Sequence, residues 1–467
     1  MTDTALDRAL LHAHRYLDDL GTRSVAATVS RETLLSRFDV PLSREGQPAA
    51  QVVDDLVRAA DGGQLGNTGG RFFAWVIGGV LPSALAADWL ASTWDQNSAI
   101  YGTSPAASVV EEVAGKWLLD VLRLPASASF AFTTGCQMAH FTALAAARDQ
   151  VLGQAGWQVA EQGMAGSPPI RVFASAVRHV SVDRALRYLG IGSRQITVLP
   201  VDSDGAIRPA DLEAALSAGS GPASPTIVSL NAADLNTGAF DPFHALIPIA
   251  QRQGAWVHVD GAFGLFARVS ERFASLVEGM DLADSWATDC HKWLNVPQDC
   301  GFAAVRNPEA HRRAFTIHDS YFVGETQARD QIDWTPEWSR RARGFAVYAA
   351  LRELGRDGLA AMIERNCDQC EALVRGIGSL PGAEIVASAR LNQGLVRFLD
   401  PRTEATPEDH DAWTDRVIER INQSGEAFFG GVSWEGRRVM RISVVNWRTG
   451  EADIARTVAA VERVLAE

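Results

Sequence analysis

Between positions 76 and 315, short apolar runs recur with helix-like stretches among them. This alternation constrains the fold more than any other feature of the chain. RVFASA (171–176), TIVSLN (226–231), AWVHVD (255–260), SWAT (285–288) and FAAV (302–305) have the length and residue types of buried strands, and 138–152 has those of a helix. Strands separated by helices cannot pair as tight hairpins, so an α/β fold is expected, with a large, mainly parallel sheet covered by helices on both faces. The texture changes on either side. Residues 1–75 read as an N-terminal helical segment ending in the glycine-rich GNTGGRFF (66–73), and 76–315 as the large domain. Residues 316–344 form a polar stretch with few apolar anchors before Trp334, the pattern of a mobile active-site loop. Residues 345–467 read as a smaller α+β domain of helix, strand (396–400), helix, strand (439–445) and a closing helix from near Glu451. The closing helix places Ile454, Val458, Val461 and Leu465 on one face, and the first helix, capped by Thr2 or Asp3, does the same with Leu6, Leu10, Ala13 and Leu17.

Bulk properties exclude several function classes. A chain of 467 residues can bury a large core in two or three lobes. Its net charge of -13 argues against nucleic acid or an anionic membrane as partner. The most apolar stretch, 76–90, is interrupted by Gly78, Gly79, Pro82 and Ser83 and carries Asp88, so no membrane span is expected. The acidic N-terminus lacks the basic-then-apolar pattern of a secretory leader. Five cysteines, an odd number, do not suggest a disulfide framework and fit the reducing cytoplasm. Cys367 and Cys370 form one isolated C-x-x-C pair in a helical segment, which reads as helix-surface or half-buried thiols; no metal site is expected.

The chemistry concentrates in DCHKWLNVPQDCG (289–301), where Lys292 follows His291 just after a strand. Asp260 ends another strand 32 positions upstream. A lysine amine can form a Schiff base with an aldehyde cofactor, and a carboxylate can pair with a protonated ring nitrogen. Against this stand two plainer readings, a surface lysine and a helix-capping aspartate. Apolar neighbours should lower the pKa of Lys292 and free its amine. Gly261 and Ala262 follow Asp260 and leave room for a flat ring. FTTGCQMAHFTALAAAR (132–148) reads as strand, turn and helix, so Thr134, Gly135, Cys136 and Gln137 could hold a phosphate at the helix start. His179 lies at a strand-to-helix junction and could stack on the ring, whereas His258, inside a strand, reads as structural or supporting. Asn231 and Asp234 end a further strand and could bond the ring's 3-oxygen or a neighbouring ligand. Arg441 lies within an apolar strand and needs an anion, either an internal carboxylate or that of a substrate.

Together RFFAW, FTTGCQMAHFTALAAAR, His179-x-Ser181-x-x-Arg184-Ala185, NTGAFDP, VHVDGAFG and above all HKWLNVPQDCG resemble the group II pyridoxal phosphate (PLP)-dependent decarboxylases, which act on glutamate, tyrosine and other aromatic amino acids. The resemblance runs over 72–449. It implies PLP fold type I, the aspartate-aminotransferase-like architecture, and a homodimer with active sites at the subunit interface. It implies Lys292 as the Schiff-base lysine and Asp260 as partner of the ring nitrogen, with Ala262 and His179 on the two ring faces. Cys136, Gln137 and His291 match phosphate-binding positions. Asp289 stands where many relatives have asparagine, Asp234 where they often have threonine, and Gln298 where they often have tyrosine. The implied reaction is decarboxylation of an L-amino acid through a Lys292 Schiff base and a quinonoid. The side chain handled is expected to be aromatic or apolar, because Phe73, Trp75 and Trp94 fall in segments that line the substrate pocket in relatives.

One departure keeps a second outcome open. The loop tyrosine that protonates the intermediate in well-known relatives has no counterpart in RDQIDWTPEWS (329–339), and Tyr321 lies upstream of it. His179 could supply the proton instead. Alternatively the decarboxylation is coupled to aldehyde formation or transamination, or the fold serves a carbon–carbon lyase. A catalytically dead relative is disfavoured, because a retained Lys292 and Asp260 do little for folding.

Overall fold

The computed structural model describes residues 4–218, 224–317 and 328–467. It divides into two compact units. One comprises Val80–Asp368 with Ala389–Gln393; the other comprises Met1–Gly79, Gln369–Ser388 and Gly394–Glu467. The four-segment expectation differs from this. The N-terminal segment groups with the C-terminal elements, and the segment after residue 315 groups with the large sheet as far as Asp368.

The large unit is built on seven strands: β1 (Ser129–Thr133), β2 (Arg171–Ser175), β3 (Ile196–Leu199), β4 (Thr226–Asn231), β5 (Trp256–Asp260), β6 (Ser285–Asp289) and β7 (Gly301–Val305). Their order is β1-β7-β6-β5-β4-β2-β3. Pairs from β6 through β3 are parallel, whereas β7 runs antiparallel to both β1 and β6. Every residue of β4, β5 and β6 is buried, as befits central strands covered on both faces. The helix Cys136–Gln154 packs its alanine-rich face into a core with β2 and the helix Val180–Tyr188.

Register sets the site. Asn231 pairs with Asp260, and Asp260 with Ala287, so β4, β5 and β6 end close together. Ligands of open parallel sheets bind beyond such carboxyl ends. The turn after β6 carries Lys292 and is fixed by its neighbours. Trp293, Leu294 and Val296 are buried, and the Trp293 indole donates to Asn366 Oδ1 at 3.1 Å. Asn295 takes the left-handed conformation (φ 54°), which asparagine adopts at low cost. Gly301, opening β7, lies against the turn that starts the helix Cys136–Gln154. A Cβ on Gly301 would collide with the backbone of Gly135.

The segment expected as a mobile loop is only partly accounted for. Residues 318–327, including Tyr321, lie outside the described residues. Residues 329–339, the stretch without a tyrosine, are anchored within the large unit. Ser108 bonds both the Arg329 carbonyl (3.0 Å) and the buried Gln331 side chain, and next to this stretch Arg340 forms a fully buried ion pair with Glu111 at 2.6 Å. These contacts dock this part of the segment. The helix Gly344–Gly378 breaks at Gly355 (φ 60°, ψ -174°). Cys367 and Cys370 are both buried, not half-exposed as expected.

The second unit contains a four-stranded sheet ordered β10-β11-β9-β8, from β8 (Ala383–Arg390), β9 (Gln393–Phe398), β10 (Gly430–Trp434) and β11 (Arg437–Ser443). It also holds the closing helix Glu451–Ala466 at its expected start. The first helix spans Ala5–Asp18 and is capped by Thr4, in a reciprocal box with Asp7; Thr2 and Asp3 lie outside the described residues.

Candidate active site

The large unit gathers most of the residues singled out from the sequence. Asp260 ends β5 and is buried. Its Oδ1 accepts the Ala262 N–H at 3.1 Å and lies 3.5 Å from His140 Nε2. Burial alone would raise its pKa, but His140, His179 and the Ala262 amide outweigh that and hold the carboxyl below the usual carboxylate range. Beside it Cys136, Ala139, Ala287 and Ala303 form a small-residue cluster against which Ala262 packs. Such a floor accepts a flat ring.

Lys292 does not behave as its sequence neighbours suggest. Burial pushes its pKa down, but Asp289, at 3.0 Å from Nζ, reverses the sign, assisted by Cys136 and Asp260. Lys292 is therefore held as an ammonium ion. The apolar setting was legible; the carboxylate three residues back was not recognised as its partner. Asp289 also accepts the Cys136 backbone N–H at 2.5 Å and lies 3.5 Å from His291 Nε2. His291 Nδ1 accepts the Cys300 N–H at 3.2 Å, and burial lowers its pKa. Burial, reinforced by Asp289 and Asp260, raises the Cys136 thiol well above its ordinary value and keeps it neutral.

Two buried polar atoms show how a cofactor fits. Gln137 Nε2, in the first turn of the helix Cys136–Gln154, and Asn231 Oδ1, at the end of β4, have no hydrogen-bond partner. A buried donor at a helix N-terminus suits a phosphate oxygen. Thr134 and Gly135 form the turn before it. His179 caps the helix Val180–Tyr188, with Nδ1 accepting the Ser181 N–H at 3.3 Å. It lies near enough to Asp260 to help lower that carboxyl's pKa.

Other expected residues are placed differently. Asp234 turns its carboxylate into its own loop, where it accepts the N–H groups of Asn236 (3.1 Å) and Thr237 (2.6 Å). These bonds hold the turn after β4. Phe73, Trp75 and Arg441 belong to the second unit. Phe73 is buried there and stacks on Phe429 at 5.3 Å. Trp75 is half exposed, and both it and Val76 take positive φ (55° and 60°), a strained pair of conformations for such side chains. Arg441 is buried in β11. Sequence reasoning did not single out His140, Ser285 or Trp256, although the spacing of Cys136 and His140 puts them on one helix face. Among the described residues, Cys136, His140 and Asp260 are the one group close enough to hold a metal, and no ion is assigned to them.

A partly buried lysine and a buried carboxylate at the carboxyl ends of adjacent parallel strands, beside a floor of alanines, suit a planar aldehyde cofactor. Residues 33–399 match the family described as "Pyridoxal-dependent decarboxylase conserved domain". The chain belongs to this family, is an amino acid decarboxylase and uses PLP. It is 25% identical over 457 residues to the aromatic-L-amino-acid decarboxylase of Bacillus atrophaeus, covering 97% of this chain and 93% of that protein. It is 26% identical over 437 residues to the 4-hydroxyphenylacetaldehyde synthase of Rhodiola rosea, covering 90% and 85%. The structure of Oryza sativa TDC with PLP and tryptamine superposes with a TM-score of 0.92 at 23% identity, over 99% of this chain and 97% of that one. The type I architecture expected from the sequence is thus the observed one.

Proposed function

We propose that this chain decarboxylates an aromatic L-amino acid, with Lys292 as the point of covalent attachment and Asp260 as partner of the cofactor's ring nitrogen. The observation that carries this is the pairing, in one pocket, of an anionic Asp260 with a Lys292 ammonium whose proton has a named acceptor. Asp289 Oδ2, 3.0 Å away, is placed to take that proton and release the amine. Asp260 keeps a negative charge for the ring nitrogen, and Ala262 with the neighbouring alanines leaves the ring face open. Gln137 Nε2, the turn at Thr134 and Gly135, and His291 are assigned to the phosphate, and Asn231 Oδ1 to a polar group of the bound ligand. When bound, PLP supplies an electrophilic aldehyde and an electron-withdrawing ring that stabilises charge on the substrate carbon as carbon dioxide leaves. His179, with Nδ1 engaged as an acceptor, carries its ring hydrogen on Nε2 and is the candidate proton donor to that carbon. Support for an aromatic substrate comes from the activity named for the Bacillus relative.

The chain is further proposed to act as a homodimer in the cytoplasm. Leu6 (72% exposed) and Leu10 (45% exposed) lie on the apolar face of the first helix, which a second copy could cover. All five cysteines are free thiols, which suits a reducing compartment, and no helix among the described residues is long and apolar enough to cross a membrane.

A second reading, oxidative aldehyde formation that consumes dioxygen and water and releases carbon dioxide, ammonia and hydrogen peroxide, is favoured by the lack of a tyrosine in 329–339 and by the named activity of the Rhodiola relative. Incubation with phenylalanine, tyrosine and tryptophan, scored for carbon dioxide, amine, aldehyde and oxygen uptake, separates the two. Equimolar amine and carbon dioxide are expected; aldehyde with oxygen uptake would replace the first reading by the second. Lys292→Ala should lose turnover entirely, and borohydride should fix the cofactor to Lys292 in the wild type but not in the variant.

A further inference from the structure

Behind Asp260 lies a chain of buried polar groups that the reaction does not touch. Trp256 Nε1 is 2.9 Å from Ser285 Oγ, Ser285 Oγ is 2.9 Å from His258 Nδ1, and His258 Nε2 is 2.9 Å from His140 Nδ1. His140 Nε2 then lies 3.5 Å from Asp260 Oδ1 and 3.4 Å from Cys136 Sγ. Two strands and a helix contribute. Trp256, His258 and Asp260 alternate along one face of β5, Ser285 opens β6, and His140 stands one turn into the helix Cys136–Gln154. His140, His258 and Ser285 are fully buried, so water does not complete their hydrogen bonds.

The direction of this chain is decided at its ends. An indole N–H can only donate, so Ser285 Oγ accepts from Trp256 and has one hydrogen left to give. It gives that hydrogen to His258 Nδ1. The His258 ring hydrogen then sits on Nε2 and goes to His140 Nδ1, which leaves the His140 hydrogen on Nε2, facing Asp260. The reverse order strands the Ser285 hydroxyl hydrogen and turns an imidazole lone pair towards a carboxylate. With both imidazoles neutral, only the first order uses every hydrogen. Burial above all holds His258 down to about 3 and keeps its ring neutral.

We infer that His140 is a positioning residue for Asp260, and that Trp256, Ser285 and His258 fix the tautomer in which it serves. A neutral imidazole orients the carboxylate without cancelling its charge, and that charge remains available to the cofactor's ring nitrogen. An imidazolium in the same place would compete with the ring nitrogen for Asp260. The inference rests on the proposed placement of that nitrogen at Asp260.

The test uses two ligands that differ at one atom. Wild type, His140→Leu, His140→Gln and Ser285→Ala would be stripped of cofactor and titrated with PLP and with its 1-deaza analogue, which has carbon in place of the ring nitrogen. Melting temperatures of the stripped proteins report folding. For PLP, His140→Leu should weaken binding on the order of tenfold and Ser285→Ala about threefold. His140→Gln, which keeps an N–H near the Nε2 position, should recover most of the affinity. For the analogue, all four proteins should bind within about twofold of one another, because the coupling runs through the missing nitrogen. Equal losses for both ligands, or none for either, would overturn the inference. If His140→Leu does not fold, Ser285→Ala, which removes a single hydroxyl, carries the same comparison. A wild type that develops no visible absorption band with PLP would instead overturn the cofactor placement, a different and separately visible result.

Discussion

Around Asp260, Trp256, Ser285, His258 and His140 pass hydrogen bonds from one to the next until they reach the carboxylate. At the start of the helix Cys136–Gln154 the situation is the opposite. Gln137 Nε2 is buried without a partner, and the Asp289 carboxylate takes the Cys136 N–H and the Lys292 ammonium. The first region is complete before any ligand arrives, whereas the second is completed only when an anion replaces or joins Asp289. Preorganised groups need no rearrangement as charge develops, so they contribute most where the chemistry happens. Groups left unsatisfied contribute on binding, where a ligand oxygen removes their burial penalty.

The comparison predicts its largest effect at the completed end. Asp260→Ala should cut turnover at least roughly ten-thousandfold, about 5.5 kcal/mol of barrier. The melting temperature should fall by only a few degrees, since the loss leaves one His140 N–H without its acceptor. Steady-state kinetics beside a thermal melt would show both. Near-normal turnover in this variant would place the ring nitrogen elsewhere and dissolve the contrast between the two ends.

A smaller effect, on stability, follows from the same buried imidazoles. Burial holds His258 to about 3, and burial with the nearby Arg329 does the same to His311, which is bonded between Ser129 and the Trp334 carbonyl. Both folded-state values lie below the unfolded value of about 6.5. The unfolded chain therefore binds more protons in this window, and stability rises with pH across it. It should be fully present above about pH 6.5 and lost progressively towards pH 3, by roughly 4 kcal/mol for each histidine. Urea melts between pH 7 and 4 would measure the slope, and His258→Gln should remove about half of it. An unchanged slope in that variant would mean that His258 is already charged in the folded chain, which the hydrogen-bond order behind Asp260 forbids.

These two regions also differ in how far they could be read from the sequence. Lys292 and Asp260 were legible because their residue types, each at the end of an apolar run, are costly without a function. Strands β2 and β4 to β7 were legible as apolar runs. β3, β8 and β10 were not, because Thr197 and Val198 are exposed and no residue of β8 or β10 is fully buried, so none gives a clear apolar run. His140 stayed hidden in an alanine-rich helix, since its partners arrive from β5 and β6, more than a hundred residues later. The sign of the Lys292 shift was missed for a related reason. Composition shows that a lysine is surrounded by apolar residues, but only the turn after β6 folds the Asp289 carboxylate back to within 3.0 Å of it. Asp234 and Phe73 show the same limit, as each has a strong local partner that residue type alone does not reveal.

The least effect is expected at the incomplete end, where it also discriminates best. Asp289→Asn keeps an oxygen for the Cys136 N–H but removes a negative charge beside the phosphate position and frees the Lys292 amine from its counter-ion. PLP should then bind about tenfold more tightly to the variant, because two like charges no longer share one helix N-terminus. Pyridoxal, which has no phosphate, should gain no more than about twofold from the same change. Parallel titrations of both ligands against wild type and variant isolate the phosphate term from the change at Lys292, which both ligands experience equally. An equal gain for the two would assign the effect to the amine. Weaker PLP binding would show that the carboxylate supports the phosphate end rather than opposing it, making both ends of the pocket preorganised.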